Sequence, residues 1–200
     1  EVMFDDIVVK CVKEEIFANY IIRKLVADKS GVRLEVKQFH FIGWPDFGVP
    51  KSPEDMVEFV KAVQYVSKQH GSREARIKPR STPITKIVVH CSAGVGRTGT
   101  FIALDALMWL ISRKWNCKIN VLDIVYKLRQ QRCKMVQTEE QYKYIYECMK
   151  YVLENPNSSI MKVRMYLYKR SQEAMSSEGS DSREMLQLKE LSPSPVPTTS

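Results

Sequence analysis

One stretch near the middle of the chain, residues 86–111, constrains the fold more than any other. It begins with β-branched residues at 87–89, which are typical of a buried strand. From Arg97 onward the apolar residues follow helical spacing and predict a helix with one face on the core. Those residues are Phe101, Leu104, Leu107, Met108 and Ile111. The chain must therefore pass from strand to helix through a short loop of small residues.

That loop, residues 91–97, is called the cysteine loop because it begins with Cys91 and ends with Arg97. Successive backbone N–H groups of such a loop can turn inward as a nest, and the following helix adds positive potential. The same field stabilises a thiolate, so we expect Cys91 to ionise below the ordinary thiol pKa of roughly 8.5. Arg97 can grip two phosphate oxygens with its fork of donors. The pattern predicts a phosphate site above a nucleophilic sulfur.

Nucleotide-binding interpretations of the loop are weaker. Its glycines match G-x-G-x-x-G, but a dinucleotide site also needs a strand that ends in an acidic residue about 20 residues later. Asp123 lies near that distance, yet the residues from Asn120 are typical of a helix start. A Walker A loop needs a lysine, which this loop lacks.

Two further interpretations concern the cysteine itself. His90 and Cys91 have no partners at metal-ligand spacing, so no metal is expected. A buried structural cysteine is the ordinary role of a single cysteine. That role would leave Arg97 and the three neighbouring glycines unexplained.

The string from His90 to Gly99, His-Cys-Ser-Ala-Gly-Val-Gly-Arg-Thr-Gly, closely resembles the signature of the cysteine-dependent protein tyrosine phosphatases, particularly receptor-type members. The resemblance implies that Cys91 is the nucleophile and that His90 and Thr98 support it. It implies substrate contacts from the loop residues Cys91, Ser92, Ala93, Gly94, Val95, Gly96 and Arg97. It requires no cofactor.

Two more strings extend the resemblance. Trp44-Pro45-Asp46 would by itself indicate a turn, but here it resembles the acid loop of the family (residues 43–50). A carboxyl group on a mobile loop can protonate a phenolate leaving group. The resemblance therefore makes Asp46 the general acid and a substrate contact, supported by Trp44. The string 137–141 resembles the glutamine loop, with Gln137 placing the hydrolytic water and contacting substrate, and Gln141 as a secondary contact.

The predicted elements and the resemblance indicate an α/β (α+β) fold, with a central twisted mixed sheet flanked by helices and the cysteine loop between a strand and a helix. Strands are predicted at 6–11, 18–27 and 32–41, as an antiparallel meander with a turn at 28–31. The alternation slips at Phe39, which indicates a bulge or a strand passing from a half-exposed to a buried setting.

Three more helices are predicted from caps and apolar spacing. The first begins at Ser52, buries Met56, Phe59, Val60 and Val63, and ends at 69–71, before an exposed connection to residue 83. The second is capped by Asn120, and its residues 129–132 are expected to form a solvated face. The last is capped by Thr138. Its predicted core stripe is Tyr142, Ile145, Tyr146, Met149, Val152 and Leu153.

The domain prediction is a catalytic domain at 1–154, a short helix within 155–170 and a flexible Ser/Pro-rich tail at 171–200. The resemblance covers about residues 5–153 and implies more domain sequence before residue 1, including a loop that grips the phosphotyrosine ring. Five cysteines without a C-x-x-C favour a reducing compartment such as the cytoplasm. No apolar run approaches the ~20 residues of a membrane span, although a membrane-anchored parent is compatible with the resemblance.

The net charge of +8 indicates anionic partners. Basic and aromatic residues do not alternate, which disfavours nucleic acid and leaves acidic phosphopeptides as a fitting class. The expected activity is hydrolysis of phosphotyrosine in proteins. Two alternatives remain open: an inactive or truncated phosphotyrosine-binding module, and a dual-specificity or lipid phosphatase.

Overall fold

In the described residues an antiparallel meander comes first and is followed by helices and the loops between them. A computed structural model describes residues 1–77, 87–113 and 119–155, without the side chains of residues 68–77 and residue 113. The strands are β1 (Val2–Phe4), β2 (Ile7–Ile16), β3 (Tyr20–Lys29) and β4 (Val32–Phe41), paired in that order. The helices are α1 (Pro53–Ile77), α2 (Gly96–Arg113), α3 (Val121–Gln131) and α4 (Glu139–Glu154). The predicted α+β class is confirmed.

The sheet differs from the expected mixed sheet, because every strand pair in the described residues is antiparallel. The predicted strand at 87–89 is wrong: the structure gives those residues no strand, and Val88 is 88% exposed. In the described residues no strand lies beside this segment to share a ladder, so it lacks the hydrogen bonds that make a strand, although Val89 packs against the core.

Two causes were predicted for the slip of alternation in β4: a bulge, or a strand that passes from a half-exposed to a buried setting. The structure shows the second. Pairing between β3 and β4 is continuous, so no bulge lies at Phe39; the register shift lies in β2, between Cys11 and Lys13. Residues Val32 to Lys37 of β4 are exposed, whereas Phe39 and Phe41 pack against the core. The strand therefore passes from solvent to the core along its length.

Phe59 of α1 joins the end of the sheet to the helices. Its ring lies 5.5 Å from that of Tyr20 and 5.1 Å from that of Phe41, between ring centroids. On its other side it meets Phe101 of α2 at 5.7 Å. Aromatic pairs at these distances prefer tilted or edge-to-face geometry, which these contacts show. The core thus begins at one end of the meander and continues between the helices.

The buried faces of α1 and α2 match their predictions, with Met56, Val60, Leu104 and Leu107 at most 2% exposed. Two predictions about helices are wrong. First, α1 does not end at 69–71 but continues to Ile77, because Gly71 costs a helix only about 1 kcal/mol.

Second, the predicted core stripe of α4 is right at Ile145 and Met149, which are buried, but wrong at two of its other positions. Tyr146 and Leu153 are exposed, whereas Tyr144 and Cys148 are buried. Tyr144 belongs inside because its hydroxyl donates to the Ser52 carbonyl at 2.9 Å and its ring packs edge-on against Trp44. Those partners lie far away in the chain, so the periodicity of α4 alone does not reveal them.

Across the described ranges, none of the helices has the length and apolar character to cross a membrane. The predicted short helix within 155–170 and the tail at 171–200 lie outside the described residues, apart from Asn155 at the C-cap of α4.

Candidate active site

The cysteine loop places several donors around the Cys91 sulfur. The Gly94 amide donates to Sγ at 3.2 Å, and the Thr98 hydroxyl donates to it at 3.2 Å. Gly94 has a φ of 70°, a left-handed conformation that glycine adopts without a Cβ clash. Cys91 is half-buried, whereas Ser92 and Ala93 at the rim are exposed.

These donors shift the ionisation of the thiol. Burial raises the pKa of Cys91, as it does for any group that is neutral when protonated. Hydrogen bonds from the hydroxyl and backbone N–H of Thr98, and from the amides of Gly94 and Val95, lower the pKa by more. The net pKa lies below the ordinary thiol value, so the thiolate is favoured, as the sequence predicts.

Arg97 joins the cysteine loop to the acid loop. Its Nη2 donates to the Pro45 carbonyl at 3.0 Å, and its guanidinium carbon lies 5.8 Å from the centre of the Trp44 ring. The Trp44 indole is itself held by a hydrogen bond to the Gly48 carbonyl at 3.1 Å. These contacts place the acid loop against Arg97, and Asp46, the exposed residue after Pro45, belongs to that loop. Arginine has five N–H donors, so others remain for an anion.

The glutamine loop lies against the end of the cysteine loop. A Cβ at Gly96 would come within 2.9 Å of the side-chain nitrogen Nε2 of Gln141 and 3.3 Å of the side-chain oxygen of Gln137. Gln141 Oε1 also accepts from the Gln137 amide at 2.9 Å, and Thr138 caps α4 in a capping box with Gln141. Glycine at position 96 therefore lets both glutamines approach the loop.

The segment before Gln137 fastens the two loops together. The Val136 amide donates to the Val95 carbonyl at 3.1 Å, and Val136 is fully buried. A Cβ at Gly99 would lie 2.4 Å from the Val136 nitrogen, so only glycine permits this approach. Val136 has a φ of 58°, a strained value for a β-branched residue. Such strain persists only when surrounding contacts hold it.

Arg129, at the end of α3, supplies part of that hold, and Arg132 bonds the cysteine loop itself. Arg129 donates to the carbonyls of Met135 at 2.9 Å and Val136 at 2.7 Å. Arg132 Nη2 donates to the Ala93 carbonyl at 3.2 Å. All four residues 129–132 are exposed, so the prediction of a solvated face is confirmed, but it did not include the bonds of its two arginines to backbone carbonyls. The only sequence signal was their placement just before the glutamine loop, and neither spacing nor polarity identifies such partners.

The site carries an excess of positive charge. Within the ranges that the structure describes, Arg97, Arg129 and Arg132 form no ion pair with a carboxylate. Other surface arginines do have such partners; Arg33, for example, pairs with Asp28 at 2.9 Å. Arg97 belongs to the cysteine loop and Arg132 contacts it, and two unneutralised guanidinium groups there favour an anionic ligand.

Not every predicted residue joins the site. His90 is exposed, and in the described part of the chain its side chain makes no hydrogen bond to the cysteine loop. The structure thus brings together Cys91, Arg97 and Thr98 with the acid and glutamine loops. Asp123 lies in the first turn of α3, where its amide donates to the Asn120 side chain. The acidic strand end that a dinucleotide site requires is therefore missing at that position.

Comparison with known proteins agrees with this geometry. The protein-tyrosine phosphatase family matches residues 1–151. The chain belongs to this family. Rat receptor-type tyrosine-protein phosphatase epsilon is 40% identical over 145 residues, which cover 70% of this chain and 19% of that protein. The human alpha enzyme is 39% identical over 140 residues, covering 67% and 16%. The chain therefore spans about a fifth of the length of these relatives.

Proposed function

We propose that this chain hydrolyses phosphotyrosine in proteins through a cysteinyl-phosphate intermediate. The observation that carries the proposal is the Cys91 sulfur, held by an inward amide and a hydroxyl at 3.2 Å each, in a loop that ends with Arg97. A thiolate is the nucleophilic form of cysteine. The family relationship supports the same chemistry.

In the first step the Cys91 thiolate attacks phosphorus. A sulfur–phosphorus bond forms as the bond between phosphorus and the tyrosine oxygen breaks. The carboxyl group of Asp46 gives its proton to that oxygen, so the leaving group departs as neutral tyrosine. Loop amides and Arg97 hold the other phosphoryl oxygens, and their positions before the reaction lower the cost of stabilising the transition state.

In the second step water attacks the phosphorus of the cysteinyl-phosphate. The Asp46 carboxylate takes a proton from the water, the sulfur–phosphorus bond breaks, and inorganic phosphate leaves. Gln137 orients the water, which its position beside Gly96 supports. Thr98 donates to the sulfur and so stabilises the departing thiolate.

The proposed setting of this activity follows from charge and thiol chemistry. Proteins carrying phosphotyrosine among acidic residues suit the net charge of +8 and the unneutralised arginines. The four described cysteines, Cys11, Cys91, Cys133 and Cys148, are free thiols, which suits a reducing compartment such as the cytoplasm. We assign the catalytic domain to residues 1–154.

The test is an assay of the 200-residue chain on a phosphotyrosine peptide and on the matched phosphoserine peptide. We expect turnover of the first alone, and Cys91→Ser should lower kcat by at least about a thousandfold while peptide binding persists. Cys133→Ser, at an exposed thiol outside the cysteine loop, is the matched control and should keep full activity.

Other results would contradict the proposal. Binding of the phosphotyrosine peptide without turnover by the unaltered chain would favour a binding module. Equal turnover of both peptides would favour a dual-specificity enzyme. Turnover retained by Cys91→Ser would exclude the covalent route.

A further inference from the structure

Arg132 lies against the outer side of the cysteine loop, where the proposed reaction gives it no role. Its Nη2 donates to the Ala93 carbonyl at 3.2 Å. The same nitrogen lies 3.3 Å from the position that a Cβ at Gly94 would occupy. Arg132 therefore bonds Ala93 and lies beside Gly94, the next residue of the loop.

One peptide group joins these two residues. The Ala93 carbonyl and the Gly94 amide belong to the same planar trans peptide, in which C=O and N–H point in opposite directions. The carbonyl accepts from Arg132, while the amide donates to Cys91 Sγ at 3.2 Å. The orientation of this peptide decides whether the amide reaches the sulfur.

We propose that Arg132 is a positioning residue of the cysteine loop: its guanidinium holds the Ala93–Gly94 peptide so that the Gly94 amide points at Cys91. A charged donor on the carbonyl also polarises the peptide, which strengthens the hydrogen bond from its N–H. The inference rests on the proposed function, because it concerns how the nucleophile of that reaction is prepared.

The backbone of Arg132 is well placed to hold the loop. It is the C-cap residue of α3, and its own amide donates to the Leu128 carbonyl at 3.0 Å. Three and four residues later, Met135 and Val136 are buried and tied to Arg129. The guanidinium forms no ion pair among the described residues, so no carboxylate there competes with the Ala93 carbonyl.

Positive charge alone would also favour the thiolate, so the test must separate charge from the hydrogen bond. Lys134, two residues away, provides the matched control because it is exposed and has no described contact with the cysteine loop. Lys134→Gln removes one charge from the same turn and keeps the Arg132 contact. Arg132→Gln removes both, and Arg132→Lys keeps the charge without the planar fork.

The measurement is the pH dependence of iodoacetamide alkylation at Cys91 in the 200-residue chain, followed by mass spectrometry of the peptide that contains it. We expect Arg132→Gln to raise the midpoint by roughly half a pH unit or more, Arg132→Lys by less, and Lys134→Gln hardly at all. On an aryl phosphate, kcat/KM of Arg132→Gln should fall about tenfold, because the loop is no longer held in its reactive geometry.

A midpoint for Arg132→Gln that matches that of Lys134→Gln would overturn the inference. If Arg132→Gln does not fold, Arg132→Lys decides, and an unshifted midpoint in that variant counts against Arg132. The thiol measurement needs no turnover. An inactive chain whose midpoint still shifts would therefore contradict the proposed function alone, whereas an active chain with an unshifted midpoint would contradict only the role of Arg132.

Discussion

The far end of the meander and the helical part around the cysteine loop bury their side chains in different ways. In the meander each strand pairs with its neighbour in the chain, and residues such as Val32 (75% exposed) and Leu34 (63%) remain in solvent. Around the cysteine loop, Val136, Leu104 and Tyr144 are at most 1% exposed. Close packing makes the second region intolerant of small changes, and the exposed strands lack that constraint.

Two glycine substitutions, one in each region, should show the largest difference in stability. Gly99→Ala would place a methyl group 2.4 Å from the Val136 nitrogen, and we expect a loss of about 3 kcal/mol in the free energy of unfolding despite the better helix propensity of alanine. Gly31→Ala has no atom within 4 Å and only its φ of 85° to oppose it, so about 1 kcal/mol is expected. Urea denaturation of both variants measures the difference.

Equal losses in the two variants would mean that the Gly99 region can yield. Activity gives a second readout for this pair. Gly99→Ala should lower kcat/KM at least about tenfold, because Val136 and Gln137 must move, whereas Gly31→Ala should leave it unchanged.

A pair of leucines sharpens the comparison of burial. Leu104→Ala empties space at a fully buried position and should cost about 3 kcal/mol. Leu34→Ala, on exposed β4, should change the free energy of unfolding by less than about 0.5 kcal/mol. Thermal or urea unfolding monitored by tryptophan fluorescence provides both values. A large loss for Leu34→Ala would show that this face of the sheet is covered in solution.

The smallest expected effect is on the thiol itself. Thr98→Val removes the hydroxyl that donates to Cys91 Sγ and keeps the volume, so the pKa of Cys91 should rise and the acid limb of the rate profile should move to higher pH. The value of kcat/KM, which reports the first chemical step, should fall a few-fold below that limb and hardly at all above it. Superimposable pH–rate profiles of kcat/KM for the two proteins would contradict this prediction.

The effect of Thr98→Val on the free energy of unfolding should depend on pH. The lowered pKa of Cys91 favours folding above the ordinary thiol pKa, and this contribution is lost as pH falls through the lowered value. The destabilisation by Thr98→Val should therefore grow as pH rises toward about 8.5. A loss of stability that stays constant with pH would show that the hydroxyl does not act through the ionisation of Cys91.

Particular elements explain where prediction from sequence succeeded. The strands β3 and β4, the first half of β2 and the caps at Asn120 and Thr138 follow from alternation and from side chains that bond three residues onward. The Cys91 environment was also predictable, because its donors Gly94 and Thr98 lie within seven residues of it. These features depend on neighbours in the chain.

Prediction failed for other elements because they depend on residues far away in the chain. A run of β-branched residues at 87–89 suggested a strand, but a strand needs a partner, and none lies beside it in the described residues. Tyr144 was missing from the predicted core stripe of α4 because its partner Ser52 lies 92 residues away. Residues 129–132 are exposed as predicted, but the bonds of Arg129 and Arg132 to carbonyls were missed, because such acceptors leave no pattern in a sequence.

The sequence by itself was enough to define the meander, the helix starts and a cysteine loop that holds a thiolate, since each depends on interactions between residues close together in the chain. The fold alone decided that Arg97 meets Pro45 across 52 residues and that Arg132 meets Ala93 across 39. Hydrogen bonds to backbone carbonyls place no demand on the identity of the accepting residue. Tertiary packing therefore had to select those partners.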